Sequence, residues 1–190
     1  MIFLIFSLKS NNEIYLTFDD GPCPEVTPQV LNILEKYNAK ATFFCIGKNV
    51  KNNPNLYSEI ISAGHSVGNH TYNHLNGWKT KKKEYLNDIK KAAELIDSNL
   101  FRPPYGRISV NQYLSLKNDY KIIFWNILTK DYSKKLNSEQ VLNRTLKKLK
   151  PGSIIVFHDS VKASDNMLKT LPLVLDNVNE LNYLAKAITF

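Results

Sequence analysis

Short apolar runs alternate along the chain with longer stretches in which apolar side chains recur every three or four positions, from Glu13 almost to the C-terminus. Such alternation predicts strands separated by amphipathic helices, and hence an α/β fold with a largely parallel sheet or barrel. "EIYLTF" from Glu13 reads as a strand, and Thr27-Pro28 as a capped helix start followed by Val30, Leu31, Leu34 and Tyr37 on one face. "ATFFCIG" is a second strand closed by Gly47, "NLYSEIISAG" a helix ending at Gly64, and "HSVGN" a third strand. A long helix over "KKEYLNDIKKAAELIDSN" buries Tyr85, Leu86, Ile89, Ala93 and Ile96. "LFRPPYG" is a strand end cut by two prolines, "SVNQYLSLKN" a helix, and "YKIIFWNIL" one fully buried strand. Ser138 caps "EQVLNRTLKKLK", Pro151-Gly152 stops it, "SIIVFHD" is a further strand, and a last helix runs through "NMLKTLPLVLDNV".

No linker, repeat or low-complexity tract interrupts the alternation, and 190 residues with 43% hydrophobic content suit one domain over 1–190. The opening "MIFLIF" is too short for a membrane span and lacks the flanks of a leader, so it reads as a first or edge strand. Cys23 and Cys45 make no disulfide framework and leave the compartment unassigned. A formal charge of +8 points to polyanions, but the lysines are scattered and mostly describe a solvated surface. One dense run, "KTKKKEY" from Lys79, is a candidate for steering an anionic polymer toward a cleft. A nucleic-acid binder is disfavoured, since there is neither a basic recognition helix nor an aromatic stacking array.

Polar residues of chemical interest collect just after the strands: Asp19 and Asp20, His70 and His74, Arg102 and Tyr105, Asp131, His158 and Asp159. In parallel α/β folds the loops at the carboxyl ends of strands form the active site, so these segments point at one mouth. His70 and His74 are four residues apart, which on a helical turn sets both imidazoles on one face within reach of a metal. The same spacing also occurs on surface helices and in packed pairs. A carboxylate such as Asp20 would complete a two-histidine, one-carboxylate site with a position left for water. The Gly21-Pro22 turn breaks the pleat, so Asp19 can face the same mouth and act as a base, unless the two acids only form a turn.

"TFDDGP", "HTYNH", "RPPYG", "KDY" and "IIVFHD", in this order, resemble the motifs of the polysaccharide deacetylase family, the NodB-homology domain, from Tyr15 to about Tyr183. The resemblance implies a distorted (β/α) barrel of about seven parallel strands and metal-dependent hydrolysis of N-acetyl groups on a glycan such as peptidoglycan or a chitin-like oligomer. It further implies that Asp19 is the base, that Asp20, His70 and His74 hold a divalent metal, usually Zn²⁺, and that Arg102 orients Asp19. The Tyr105 backbone N–H would stabilise the oxyanion, and His158, tuned by Asp131, would be the general acid. Three positions depart from the usual pattern: Leu128 stands where an Asp is frequent, Tyr132 for Trp, and Val156 for Leu. Tyr132 and Val156 are expected to line the groove and acetyl pocket, with Trp78 as a further groove residue and Trp125 in the core.

The rivals are an O-acetyl esterase and a glycan-binding relative with little or no turnover; an intact Asp19, Arg102 and His158 speak against the second. The implied partner is the glycan alone, with the protein a monomer. Such a substrate would suit the cell envelope or the outside of the cell, but no leader is legible in the sequence and the compartment stays unassigned. His65 reads as a packing or metal-supporting histidine, and Asp159 as either a ligand-orienting or a turn-forming acid. Cys23 has acidic neighbours, which disfavour a nucleophilic thiolate.

Overall fold

The computed structural model describes residues 4–190, so the first three residues of the apolar N-terminal run lie outside the described part. In chain order the elements are β1 (Glu13–Asp19), α1 (Thr27–Lys36), β2 (Ala41–Cys45), α2 (Gly47–Asn52), α3 (Pro54–Ser62), β3 (Ser66–Asn69), α4 (Lys82–Ala93) and β4 (Leu100–Phe101). They continue with a short 3-10 turn (Pro104–Gly106), α5 (Val110–Leu116), β5 (Lys121–Ile122), β6 (Ile127–Leu128), α6 (Ser138–Leu146), β7 (Ile154–His158), α7 (Ser164–Glu180) and β8 (Leu184–Ala185).

Seven strands pair in the order β5-β4-β3-β2-β1-β7-β6, every pair parallel, and β8 pairs with the start of β1. The two edge strands are consecutive in sequence, which forces the sheet to curl. Laid flat, seven strands would hold their outer strands about 29 Å apart. The chain from Ile122 to Ile127 can span at most roughly 18 Å. The result is a curled half-barrel in which residues 123–126 cross the gap. Ile5 forms a parallel bridge to Ile123 and Ser7 an antiparallel one to Ser153, so the N-terminal segment adds bridges rather than a regular strand.

The alternation on β1 assigns its two faces. Ile14, Leu16 and Phe18 join the outer core with Val30 and Leu34 of α1 and Leu171, Val174 and Val178 of α7. Each such fully buried side chain contributes about 1.5–3 kcal/mol relative to exposure. Tyr15 points the other way, into an inner cluster with Phe44, Leu100, Ile123 and Ile154. Asp19, two pleats further along this inner face, arrives at the barrel mouth.

Several local expectations are corrected. "YKIIFWNIL" is two short strands on opposite edges, because residues 123–126 are used for the crossing. Gly47 opens α2 instead of closing β2. α6 is capped by Asn137, whose side chain accepts from the Gln140 N–H while Gln140 returns a bond, so Ser138 is already inside the helix. On α4 the buried alanine is Ala92, with Ala93 exposed. Val26 precedes α1 without capping it, and the Thr27 hydroxyl is committed elsewhere, as described below.

Candidate active site

The register places the carboxyl ends of the strands at one level: Asp19 lies beside Phe44 and His158, Cys45 beside Asn69, and Asn69 beside Phe101. A cavity of about 310 Å³ opens there, lined among others by Asp19, Asp20, His70, His74, Tyr105 and His158. Trp125, Leu128, Tyr132, Val156, Ser160 and Lys162 complete its wall. Trp78 is exposed and is not among the lining residues; its indole Nε1 donates to the Ile108 carbonyl and its ring stacks on the Arg107 guanidinium at 3.9 Å. Trp125, expected in the core, packs against the inner apolar clusters and also contributes to the wall.

Asp19 is held by Arg102, which is fully buried in the gap of the half-barrel. Arg102 Nη1 donates to Asp19 Oδ1 and to Thr17 Oγ1, each at 2.7 Å, and Nε and Nη2 donate to the Ile123 and Phe124 carbonyls at 3.2 and 3.1 Å. The guanidinium lies 4.0 Å over the Phe44 ring. Burial lowers its pKa, and the Asp19 carboxylate opposes that shift. One cation thus orients Asp19 and bonds the backbone that closes the sheet.

Asp20 leaves the strand with φ 83°, and Gly21 follows in close contact with Asp159: a Cβ on Gly21 would lie 2.0 Å from Asp159 Oδ2. Asp159 Oδ1 accepts from the Gly21 N–H and Oδ2 from the Thr27 hydroxyl at 2.6 Å. Burial pushes the Asp159 carboxyl up to about 8. Asp159 therefore holds the turn that aims Asp20, and Thr27 serves that acid instead of the helix end.

His70 and His74 lie on a loop, not on a helical turn. Thr71 and His74 have φ of 63° and 57°, which a helix excludes. The loop is pinned by Asp88 of α4, whose Oδ2 accepts from the Tyr72 and Asn73 N–H groups at 2.9 Å, and by Asn69, whose Oδ1 accepts from the Thr71 N–H. His70 Nδ1 donates to the Arg102 carbonyl at 2.7 Å, leaving Nε2 with its lone pair. Burial lowers the His70 pKa to about 4 despite Asp19 and Asp20, so the ring is a neutral donor at physiological pH. His74 Nδ1 bonds the Tyr105 hydroxyl at 3.1 Å, which turns its Nε2 toward Asp20. Tyr105 has φ 59° within the 3-10 turn.

These residues fit a divalent cation. Asp20 Oδ1 lies 3.2 Å from His74 Nε2 and 3.8 Å from His70 Nε2, yet it is buried and has no hydrogen-bond partner. Burial works against its ionisation, but His74, His158 and His70 outweigh that and hold the carboxyl well below the usual carboxylate range. The donor atoms of Asp20, His70 and His74 all lie within 4.8 Å of one another. An ionised, orphaned carboxylate oxygen facing two imidazole nitrogens is the borderline N/O set that suits zinc.

Opposite stands His158. Asp131 Oδ1 accepts from His158 Nδ1 at 2.8 Å and Oδ2 from its backbone N–H at 2.7 Å, so Nε2 is the nitrogen left for the cavity. Burial lowers its pKa, but Asp131 first, then Asp19 and Asp20, raise it to about 9 overall. The Tyr132 ring meets the imidazole edge-on at 4.8 Å.

Residues 8–122 match the family described as polysaccharide deacetylase. The chain belongs to this family. A peptidoglycan-N-acetylglucosamine deacetylase of Bacillus cereus is 39% identical over 155 residues, which cover 78% of this chain and 56% of that relative's length. A solved peptidoglycan N-acetylglucosamine deacetylase, in complex with a naphthyl N-oxidanyl-benzamide, superposes with a TM-score of 0.90 at 33% identity, covering 95% of this chain and 88% of its own. A CE4 family pseudoenzyme from Bacillus anthracis superposes with a TM-score of 0.86 at 25% identity, covering 99% of this chain and 68% of its own. The deacetylase fold is therefore shared by proteins with and without turnover.

His65 lies away from the site, on the loop before β3. Its Nδ1 accepts from the Ala41 N–H and its ring tilts against Phe43, so it is a packing histidine. The Lys79–Lys83 run is not part of the cavity wall: Lys81 and Lys83 line a separate hollow with Asn73 and Leu75. Asp88, Ser160 and Lys162 were not singled out from the sequence, and Thr27 only as a helix cap. For Asp88 a signal existed, since it is an acid beside Ile89 on the buried stripe of α4. Asp88→Ala leaves two backbone N–H groups unbonded, and it is expected to weaken zinc binding by about tenfold or more. A competition titration with a chromogenic chelator measures this; unchanged zinc affinity would mean that the loop keeps its shape without Asp88.

Proposed function

We propose that this chain is a metal-dependent N-deacetylase acting on an N-acetylated glycan of the peptidoglycan or chitin-like class. The observation that carries the reading is the placement of an arginine-held carboxylate, an orphaned acid between two imidazoles and a carboxylate-held histidine around one cavity. A binding module gains nothing from burying an acid and a base in this way. A divalent cation, when bound by Asp20, His70 and His74, would supply Lewis acidity toward the acetyl carbonyl and toward water.

The chain's own residues supply the rest. Asp19, oriented by Arg102, accepts a proton as a water oxygen adds to the acetyl carbonyl carbon. The oxyanion so formed meets the backbone N–H of Tyr105. His158 Nε2 then delivers a proton to the amide nitrogen, the C–N bond breaks, and acetate and a free amine leave. Amide nitrogen is a poor leaving group until protonated, so a histidine kept cationic to about 9 suits the task. Val156 and Leu128 bound the space for the acetyl methyl, and Tyr132 backs His158.

The test is to incubate zinc-loaded protein with N-acetylglucosamine oligomers and with peptidoglycan strands, and to quantify acetate and new amines. Equal amounts of both are expected. Acetate without amine would mean an O-acetyl esterase, and glycan binding without either product a non-catalytic relative.

The pH profile tests the acid. Protonated His158 is the active form, so activity is expected to fall as pH rises through the folded-state pKa, and Asp131→Asn should move that basic limb to lower pH. A bound cation beside Asp20 cancels part of the negative field, so the limb of the loaded protein lies below 9. A limb unmoved by Asp131→Asn would separate Asp131 from the general acid.

A further inference from the structure

Three cations beside the cavity have no part in the chemistry above. Lys162 lines the catalytic cavity itself, with Nζ 5.4 Å from the centre of the Tyr132 ring. Leu128 and Trp125, also in the cavity wall, form one side of a second hollow of about 170 Å³ whose lining includes Arg144 and Lys148. Arg144 is tethered there by a single bond, Nε to the Leu128 carbonyl at 3.1 Å, and its Nη groups have no protein partner among the described residues. None of the three cations forms an ion pair among the described residues.

The acids of the site are already engaged. Asp19 is paired with Arg102, Asp131 with His158, and Asp20 lies between His70 and His74. The cavity wall contains no further carboxylate to balance Lys162, and none lines the adjoining hollow. Two concavities that share Trp125 and Leu128 in their walls thus carry unpaired positive charge, and low-dielectric walls focus such a field on an arriving ligand. The tether on Nε leaves the rest of the Arg144 guanidinium for a planar anion, the geometry in which arginine binds a carboxylate.

We propose that Lys162, Arg144 and Lys148 select a glycan bearing a carboxylate beside the acetamide to be removed, in preference to a neutral N-acetylated oligomer. The inference rests on the deacetylase reading and names the substrate class for the same site. The carboxylate can come from an ether substituent on the sugar or from an attached peptide, and the two sources are separable.

The experiment compares the parent with Lys162→Gln/Arg144→Gln/Lys148→Gln on four probes. These are the N-acetylglucosamine tetramer, peptide-free peptidoglycan strands with their lactyl carboxylates, the same strands after carboxylate amidation, and strands retaining their peptides. Both kcat/KM for acetate release and equilibrium affinity are measured. Exposed charge pairs are individually weak, so the triple variant is expected to lower the acidic-to-neutral ratio by about tenfold in total. The parent's ratio should also fall with added salt and with amidation, and the variant's should not. A preference confined to peptide-bearing strands would assign the carboxylate to the peptide. Arg144→Lys, which keeps the charge, should retain most of the preference. A ratio unchanged in the triple variant, or a preference for peptide-free strands that survives amidation, overturns the proposal, as does an Arg144→Lys defect equal to that of Arg144→Gln. Absence of acetate from every probe would instead contradict the deacetylase reading, and the affinity ratio would still decide the cationic one.

Discussion

Asp19→Asn is expected to retain bound zinc and to lose turnover by about 10²–10⁴, the range typical of a positioned base. Asp20→Asn, one residue away and with the same change of charge, is expected to fail first in metal binding. The contrast follows from their surroundings. Asp19 Oδ1 is occupied by Arg102 and its Oδ2 is 4.0 Å from His70 Nε2, whereas Asp20 Oδ1 faces both imidazoles and has no other partner. An amide oxygen is a weaker ligand than a carboxylate but still a ligand, so excess zinc should restore part of the Asp20→Asn activity and none of the Asp19→Asn activity. Metal analysis and acetate release on both variants, with and without added zinc, make the check. Rescue of Asp19→Asn by zinc would reverse the roles.

The second large effect is on stability. Arg102→Met strands the buried Asp19 carboxylate, removes the donor to Thr17 Oγ1, which keeps its own bond to the Ile155 carbonyl, and unbonds the Ile123 and Phe124 carbonyls. Removing one partner of a buried pair costs about 3–5 kcal/mol. Urea unfolding should show this as a lower midpoint. Asp19→Leu added to Arg102→Met should restore part of the loss, because an apolar pair no longer carries an uncompensated charge. The orphaned carbonyls remain in the double variant, so recovery is incomplete. A midpoint within experimental error of the parent for Arg102→Met would mean that Arg102 does not hold the sheet edges together.

The strands were legible because aromatic and β-branched runs such as "ATFFC" and "IIVFH" are buried on both faces and stand apart from the helical stretches. What the pattern does not contain is closure. "YKIIFWNIL" looks like one buried strand in any linear reading, and only the pairing of its halves with β4 and β7 shows that it crosses between sheet edges. The chemical residues were legible as motifs, whereas their mounting was not. His70 and His74 share a face through two positive-φ residues and the reach of Asp88, contacts that a four-residue spacing does not encode. Lys162 and Arg144 carry no signal among 25 basic residues, since what separates them is their position at the cavity wall and in the adjoining hollow. Trp78 lies outside the cavity and Trp125 adds to its wall for the same reason: an indole's surroundings are set by the loops around it.

On the proposed reading, deacetylation depends on a metal held by Asp20, His70 and His74. The most direct measurement is a titration of zinc into chelator-stripped protein, with bound metal per chain and acetate release from an N-acetylated glycan recorded together. One equivalent of tightly bound zinc is expected, with acetate release rising in proportion and saturating at that equivalent. Acetate release at full rate from metal-free protein, or tight zinc binding unaffected by His70→Ala and His74→Ala, would contradict it.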